Sequence, residues 1–93
     1  MRVKVKYFLF KGVTGKREEE IVFSGELTVK DLLVILSERY GREFKRRLWD
    51  RNGVPKRHIY FLLDGRDIRR LDGLATKLRD GSTLAIIPPL GGG

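Results

Sequence analysis

The six residues Pro88-Pro89-Leu90-Gly91-Gly92-Gly93 carry the pattern best suited to chemistry. Two consecutive prolines, with φ fixed by their rings, stiffen the exit from whatever precedes them and hold the end of the chain away from it. The three glycines have no Cβ, which leaves a thin and conformationally free stretch able to thread a narrow channel. At its end stands the Gly93 carboxylate. In a partner enzyme that binds ATP, such a carboxylate can attack the α-phosphate to give an acyl-adenylate. The activated acyl group then accepts sulfur or an amine, chemistry that a free carboxylate does not undergo at neutral pH. Terminal glycines in an arbitrary protein are more often a frayed end. Here they follow at once on the Pro-Pro stop of an expected central strand, which favours the functional reading.

Other chemistry has little to work with. Cysteine is absent, so a disulfide framework, a thiolate metal site and a Cys nucleophile are excluded, and the single histidine, His58, cannot form a histidine metal cluster. No metal is expected. His58 stands next to Lys56-Arg57 at the start of an expected strand and reads as a solvated surface residue. Asp64, Asp67 and Asp72 fall in turns, where Asp is favoured because it hydrogen-bonds nearby backbone, so a paired-carboxylate role is disfavoured. The glycines before the tail are isolated and lack GxxxxGK spacing, so no cofactor is expected on this chain and ATP must be bound by a partner.

A length of 93 residues with 41% hydrophobic content suits one domain with a modest core. The longest apolar runs, such as Ile59-Tyr60-Phe61-Leu62-Leu63, are too short to span a bilayer, and Met1-Arg2-Val3-Lys4 lacks the apolar region of a signal peptide. A cytoplasmic protein is expected. The formal net charge is +8, which can serve nucleic acid, an acidic protein partner or solubility. Charged residues make up 34% of the chain, Gln is absent and Asn52 is the only Asn, a bias that also fits a heat-adapted source.

The elements that would position the tail follow from periodicity. Residues 2–10 alternate, with Val3, Val5, Tyr7 and Leu9 on one side and Lys4, Lys6, Phe8 and Phe10 on the other, as in a half-buried strand. The turn Gly12-Val13-Thr14-Gly15 leads to a second strand over Glu20-Ile21-Val22-Phe23, completing a hairpin. Thr28 with Asp31 resembles an N-cap and acidic first turn, Leu32, Leu33, Leu36 and Tyr40 recur at helical spacing, and Gly41 ends the helix. Phe44, Leu48 and Trp49 suggest a short helix with Trp49 in the core. A strand over residues 58–63 turns back at Asp64-Gly65 through Arg66-Asp67-Ile68. The last strand, Thr83 to Ile87, is stopped by Pro88-Pro89. This is an α+β order of the β-grasp (ubiquitin-like) type, in which one main helix packs on a mixed sheet of about five strands. The first and last strands would lie side by side and parallel at its centre. The domain is expected over residues 1–88 and a flexible glycine tail over residues 89–93.

The residues Val3-Lys4-Val5-Lys6-Tyr7-Phe8, Thr28-Val29-Lys30-Asp31-Leu32-Leu33, Asp64-Gly65-Arg66-Asp67-Ile68, Leu71-Asp72-Gly73-Leu74, Thr76-Lys77-Leu78-Arg79-Asp80-Gly81 and Ile87-Pro88-Pro89 stand in an order and spacing that resemble one family end to end. It is the MoaD group of ubiquitin-like sulfur carriers, the small subunit of molybdopterin synthase, within the MoaD/ThiS superfamily. The resemblance implies a carrier rather than an enzyme. An E1-like enzyme would adenylate Gly93, sulfur transfer would make a thiocarboxylate, and the tail would insert into a MoaE-like large subunit. There it would donate sulfur to a pterin precursor in molybdenum or tungsten cofactor synthesis. Gly91, where the family more often has Ala, Ser or Thr, and the basic segments Lys45-Arg46-Arg47 and Lys56-Arg57 depart from the family pattern. Related archaeal modifiers use the same tail for attachment to lysines, and other carriers serve thiazole or tRNA thiolation.

Strand alternation also implies a docking surface. If Val3, Val5 and Tyr7 face the helix and Ile59, Phe61, Leu63, Leu84 and Ile86 fill the core, then Phe8, Leu62 and Ile87 form an exposed apolar patch near the tail exit. In MoaD-like proteins the corresponding sheet face meets both the activating enzyme and the large subunit. A basic RNA-binding domain is the competing class, since Lys45-Arg46-Arg47, Lys56-Arg57 and Arg66 to Arg70 could contact phosphates. Dispersed cations without interleaved stacking aromatics disfavour it.

Overall fold

Burial alternates along Arg2–Tyr7, the first strand (β1): Val3, Val5 and Tyr7 are buried while Lys4 is exposed. The computed structural model describes residues 1–88. After β1 come a one-turn helix α1 (Lys11–Thr14), β2 (Glu18–Val22), the main helix α2 (Val29–Tyr40) and α3 (Arg42–Leu48). Strands β3 (Tyr60–Leu63) and β4 (Arg66–Asp67), two 3-10 turns (Ile68–Arg70 and Gly73–Ala75) and β5 (Thr83–Ile87) complete the described chain. The strands form one sheet in the order β2-β1-β5-β3-β4. Its central pair, β1 and β5, is parallel, with Val5 opposite Leu84 and Tyr7 opposite Ile86, and the other pairings are antiparallel. The expected mixed β-grasp sheet is therefore the observed one.

Helix α2 starts where its cap dictates. The Thr28 hydroxyl accepts from the Asp31 amide at 3.2 Å and the Asp31 carboxylate accepts from the Thr28 amide at 2.9 Å, a reciprocal capping box. Val29, Leu32, Leu33 and Leu36 recur at helical spacing and are fully buried against Val3, Val5, Leu84 and Ile86 of the central strands, within one core cluster. Gly41, at φ 82° and ψ −155°, both ends α2 and begins α3, a backbone state that a side chain would strain. Trp49 is half-buried at the core's margin, and its indole N–H donates to the Ser37 hydroxyl at 2.8 Å. At Asp64-Gly65 both residues have positive φ, 50° and 85°, the geometry of the tight type I′ turn that joins β3 to β4.

Several local expectations are corrected. The alternation of β1 stops at Tyr7, because the chain turns into α1 over the segment expected to be a simple glycine turn. Phe10, expected on the outer side, is instead 1% exposed and packs its ring 4.8 Å from that of Phe44. Leu9 is half-buried. Strand β2 begins at Glu18 and ends before Phe23, while β3 begins at Tyr60, two residues after His58. Ile68, expected in the return strand, opens a 3-10 turn and is buried.

Candidate functional site

The outer face of the sheet bears the apolar side chains that strand alternation leaves over once the core is filled. Phe8 follows β1, donates its amide to the Ile86 carbonyl at 3.1 Å, and is 62% exposed. Tyr7 is level with Ile86 and both are buried, so Ile87 lies on the opposite face, and Phe8, just past the end of β1 and held to β5 through its amide, is exposed beside it. Ile87 is opposite Tyr60, and Leu62 is opposite Ala85, so a second apolar pair adjoins the first. Leu62 and Ile87 are half-buried. Phe8, Leu62 and Ile87 therefore share one face at the end of β5, where Pro88 continues the chain. The expected tail residues Pro89, Leu90, Gly91, Gly92 and Gly93 lie outside the described residues.

Tyr60 belongs to this face although sequence reasoning did not single it out. The alternation Ile59-Tyr60-Phe61-Leu62-Leu63 was the signal, since it sets Tyr60 beside Leu62 once Ile59 and Phe61 turn inward. The Arg69 guanidinium sits 4.6 Å from the Tyr60 ring centroid and also grips the Asp67 carboxylate at 3.2 and 3.0 Å. Those hydrogen bonds hold the Asp67 carboxyl below the usual carboxylate range. On the other side, Lys6 is level with Ala85, and Lys4, one row further, pairs with Glu18 at 3.5 Å. The patch is thus apolar at its centre and bordered by Lys6 and by the ion pairs Lys4–Glu18 and Arg69–Asp67.

Beneath Phe8 the end of β1 is pinned by a buried carboxylate. The side chain of Glu19 is 7% exposed, accepts hydrogen bonds from the hydroxyls of Tyr7 and Tyr40, and pairs with Arg39 at 2.9 Å and Lys16 at 3.7 Å. Burial alone would raise the Glu19 pKa, but the two tyrosine hydrogen bonds and the two cations outweigh it and the carboxyl is held below its ordinary value. Burial first, and then the Glu19 hydrogen bond, raise the Tyr7 and Tyr40 hydroxyls above theirs. This network ties β1, β2, α2 and the loop before β2 together next to the exposed patch.

The remaining sequence candidates have local duties. Asp64 accepts from the Thr83 amide at 2.9 Å across the sheet, a longer reach than its own turn. Asp67 caps the first 3-10 turn through the Arg69 amide. His58 is exposed. Among the described residues no group of His, Cys, Asp or Glu is arranged to hold a metal, and no helix is long and apolar enough to cross a membrane. In the basic α3 segment Glu43 takes Arg46 at 2.8 Å and Arg47 at 2.6 Å, which lower its pKa to about 2. Much of the charge that suggested phosphate binding there is consequently spent within the helix.

The chain is similar to known proteins in sequence and fold. The ThiS family profile matches residues 8–93. Small archaeal modifier protein 3 of Haloferax volcanii is 33% identical over 94 residues, covering 100% of both chains. A candidate sulfur carrier protein of Archaeoglobus fulgidus is 34% identical over 68 residues, covering 73% of this chain and 76% of its own. The structure of a candidate molybdopterin converting factor, subunit 1, from Pyrococcus furiosus matches with a TM-score of 0.75 at 27% identity, over 97% of this chain and 99% of that one. With a profile match reaching from the exposed Phe8 to Gly93 and a β-grasp sheet that delivers β5 to the edge of an apolar patch, the chain belongs to the ThiS family, of the sulfur-carrier and small-archaeal-modifier type.

Proposed function

We propose that this chain carries sulfur on Gly93, and that the Phe8, Leu62 and Ile87 face, extended by Tyr60, docks the enzymes that load and unload it. The observation that carries the reading is positional: the apolar face adjoins Ile87 and Pro88, the residues that lead into the glycine tail. An enzyme bound on that face has the tail within its reach. An E1-like partner supplies bound ATP, the Gly93 carboxylate oxygen attacks the α-phosphorus, and pyrophosphate leaves. Hydrosulfide from the sulfur donor then attacks the acyl carbon and displaces AMP, giving a thiocarboxylate. The residue pattern shared with MoaD and the likeness to the Pyrococcus furiosus protein support a MoaE-like large subunit as the acceptor partner, with sulfur passing to a pterin precursor. This chain acts as the carrier, and the catalytic machinery belongs to its partners.

A second reading has its own support. The full-length similarity to small archaeal modifier protein 3 favours attachment of the activated Gly93 to lysine amines. Incubation with a cognate E1-like enzyme, ATP and a sulfur donor, followed by intact-mass measurement, tests the shared step and then separates the two. The carrier reading expects one sulfur-for-oxygen exchange at the C-terminus, and the modifier reading expects isopeptide-linked products. A variant lacking Gly92 and Gly93 that still restores the pathway in cells would overturn both.

A further inference from the structure

A groove of about 420 Å³ opens between the loop Pro55–Arg57 and the two 3-10 turns. Ile59, Phe61 and Ile68 back it from the core, and half-buried Leu74 lines its wall. Lys56 and Arg57 line it from the loop and enter no ion pair among the described residues. Its one carboxylate, Asp67, is already held by the Arg69 side chain and by the Arg69 amide. The groove therefore offers two uncommitted cations over an apolar floor. It shares the border residues Asp67 and Arg69 with the docking face, but its floor is turned the other way, because Ile59 and Phe61 point away from the side on which Tyr60 and Leu62 stand.

Such a lining selects its occupant by charge and shape. Cations spaced along an apolar surface match a chain that alternates carboxylates with apolar side chains. A nucleic acid would need an aromatic face for its bases, but Phe61 is 5% exposed and the Tyr60 ring is covered by Arg69 on the other side of the sheet. We propose that this groove binds an acidic, extended segment of a partner protein, its carboxylates on Lys56 and Arg57 and an apolar side chain against Leu74. The site requires neither the glycine tail nor ATP.

A labelled synthetic peptide of alternating glutamate and leucine, titrated into the full chain and followed by fluorescence anisotropy and amide NMR shifts, tests this. The expected result is salt-sensitive binding with shifts at Lys56, Arg57, Ile59 and Leu74. The doubly exchanged variant Lys56→Glu, Arg57→Glu should bind about tenfold more weakly or worse. The charge-preserving Lys56→Arg, Arg57→Lys variant should bind as the parent does, and so should a chain lacking Gly92 and Gly93. Absence of binding at low salt, equal binding of a lysine-leucine peptide, or shifts confined to Phe8 and Ile87 would each overturn the proposal. So would tighter binding of single-stranded RNA at the same residues. Because no activating enzyme enters the experiment, these outcomes stand apart from those that test the carrier reading.

Discussion

Phe8 shows how a single residue acquires a role from its place in a strand. One position earlier the chain buries Tyr7, and two positions later it buries Phe10, yet Phe8 keeps 62% of its surface in water. A large aromatic side chain left exposed beside Ile87 is more useful to a partner than to the fold. Phe8→Asp should leave the melting temperature within a few degrees and raise the KM for adenylation about tenfold or more, measured by pyrophosphate release with the E1-like enzyme. Glu19 is the converse case, a charged residue kept inside. Its pKa is depressed in the folded state, so its contribution to stability is present above the ordinary value of 4.5 and is lost as pH falls through the lower folded pKa. Tyr7 and Tyr40 have raised values, so their contribution holds below pH 10 and is lost above it. Glu19→Gln should cost about 1–3 kcal/mol at neutral pH and flatten the acid limb of stability, checked by urea unfolding from pH 3 to pH 7. A variant as stable as the parent, with an unchanged pH profile, would show that the tyrosine network contributes nothing.

At the scale of elements, local chemistry decided what was legible. The capping box of α2 was visible because Thr28 and Asp31 stand three apart before a helical run, and a type I′ turn was readable from Asp64-Gly65. Thr28→Ala should remove one half of that box and destabilise the protein by about 1 kcal/mol, seen as a few degrees in thermal melting by circular dichroism. Element ends were harder to read. Helix α1 has only Lys11–Thr14, no side-chain cap, one glycine inside it and another at its C-cap, so nothing local distinguished it from a turn. That turn of helix also swings Phe10 back onto Phe44, which defeats any extrapolation of the β1 alternation past Tyr7.

For the whole molecule, the carrier reading makes the folded domain and its last residues separable. Removal of Gly92 and Gly93 should abolish adenylation while shifting the melting temperature by less than about one degree, because among the described residues the core cluster spans Val3 to Ile86. A large loss of stability would instead mean that the end of the chain belongs to the fold. The net charge of +8 also looks different at this scale. Ion pairs at Glu43, Glu19 and Glu18 absorb cations that a composition count leaves free, while Lys56 and Arg57 enter no ion pair among the described residues.

The order of the strands and of the two longer helices, the helix cap, the tight turn and the alternation that sets Leu62 and Ile87 on the outer face were determined by sequence alone. Each is a matter of spacing within a few residues, and backbone periodicity converts spacing directly into direction. Tertiary structure decided what depends on distant partners. It chose which of three consecutive glutamates enters the core, placed Tyr60 under Arg69, and set Lys56 and Arg57 beside the 3-10 turns. Those choices required β1, β2 and α2, or β3 and the segments on either side of it, to meet first. No local pattern records which distant side chain will arrive to pair with a charge, so that information exists only once the core has closed.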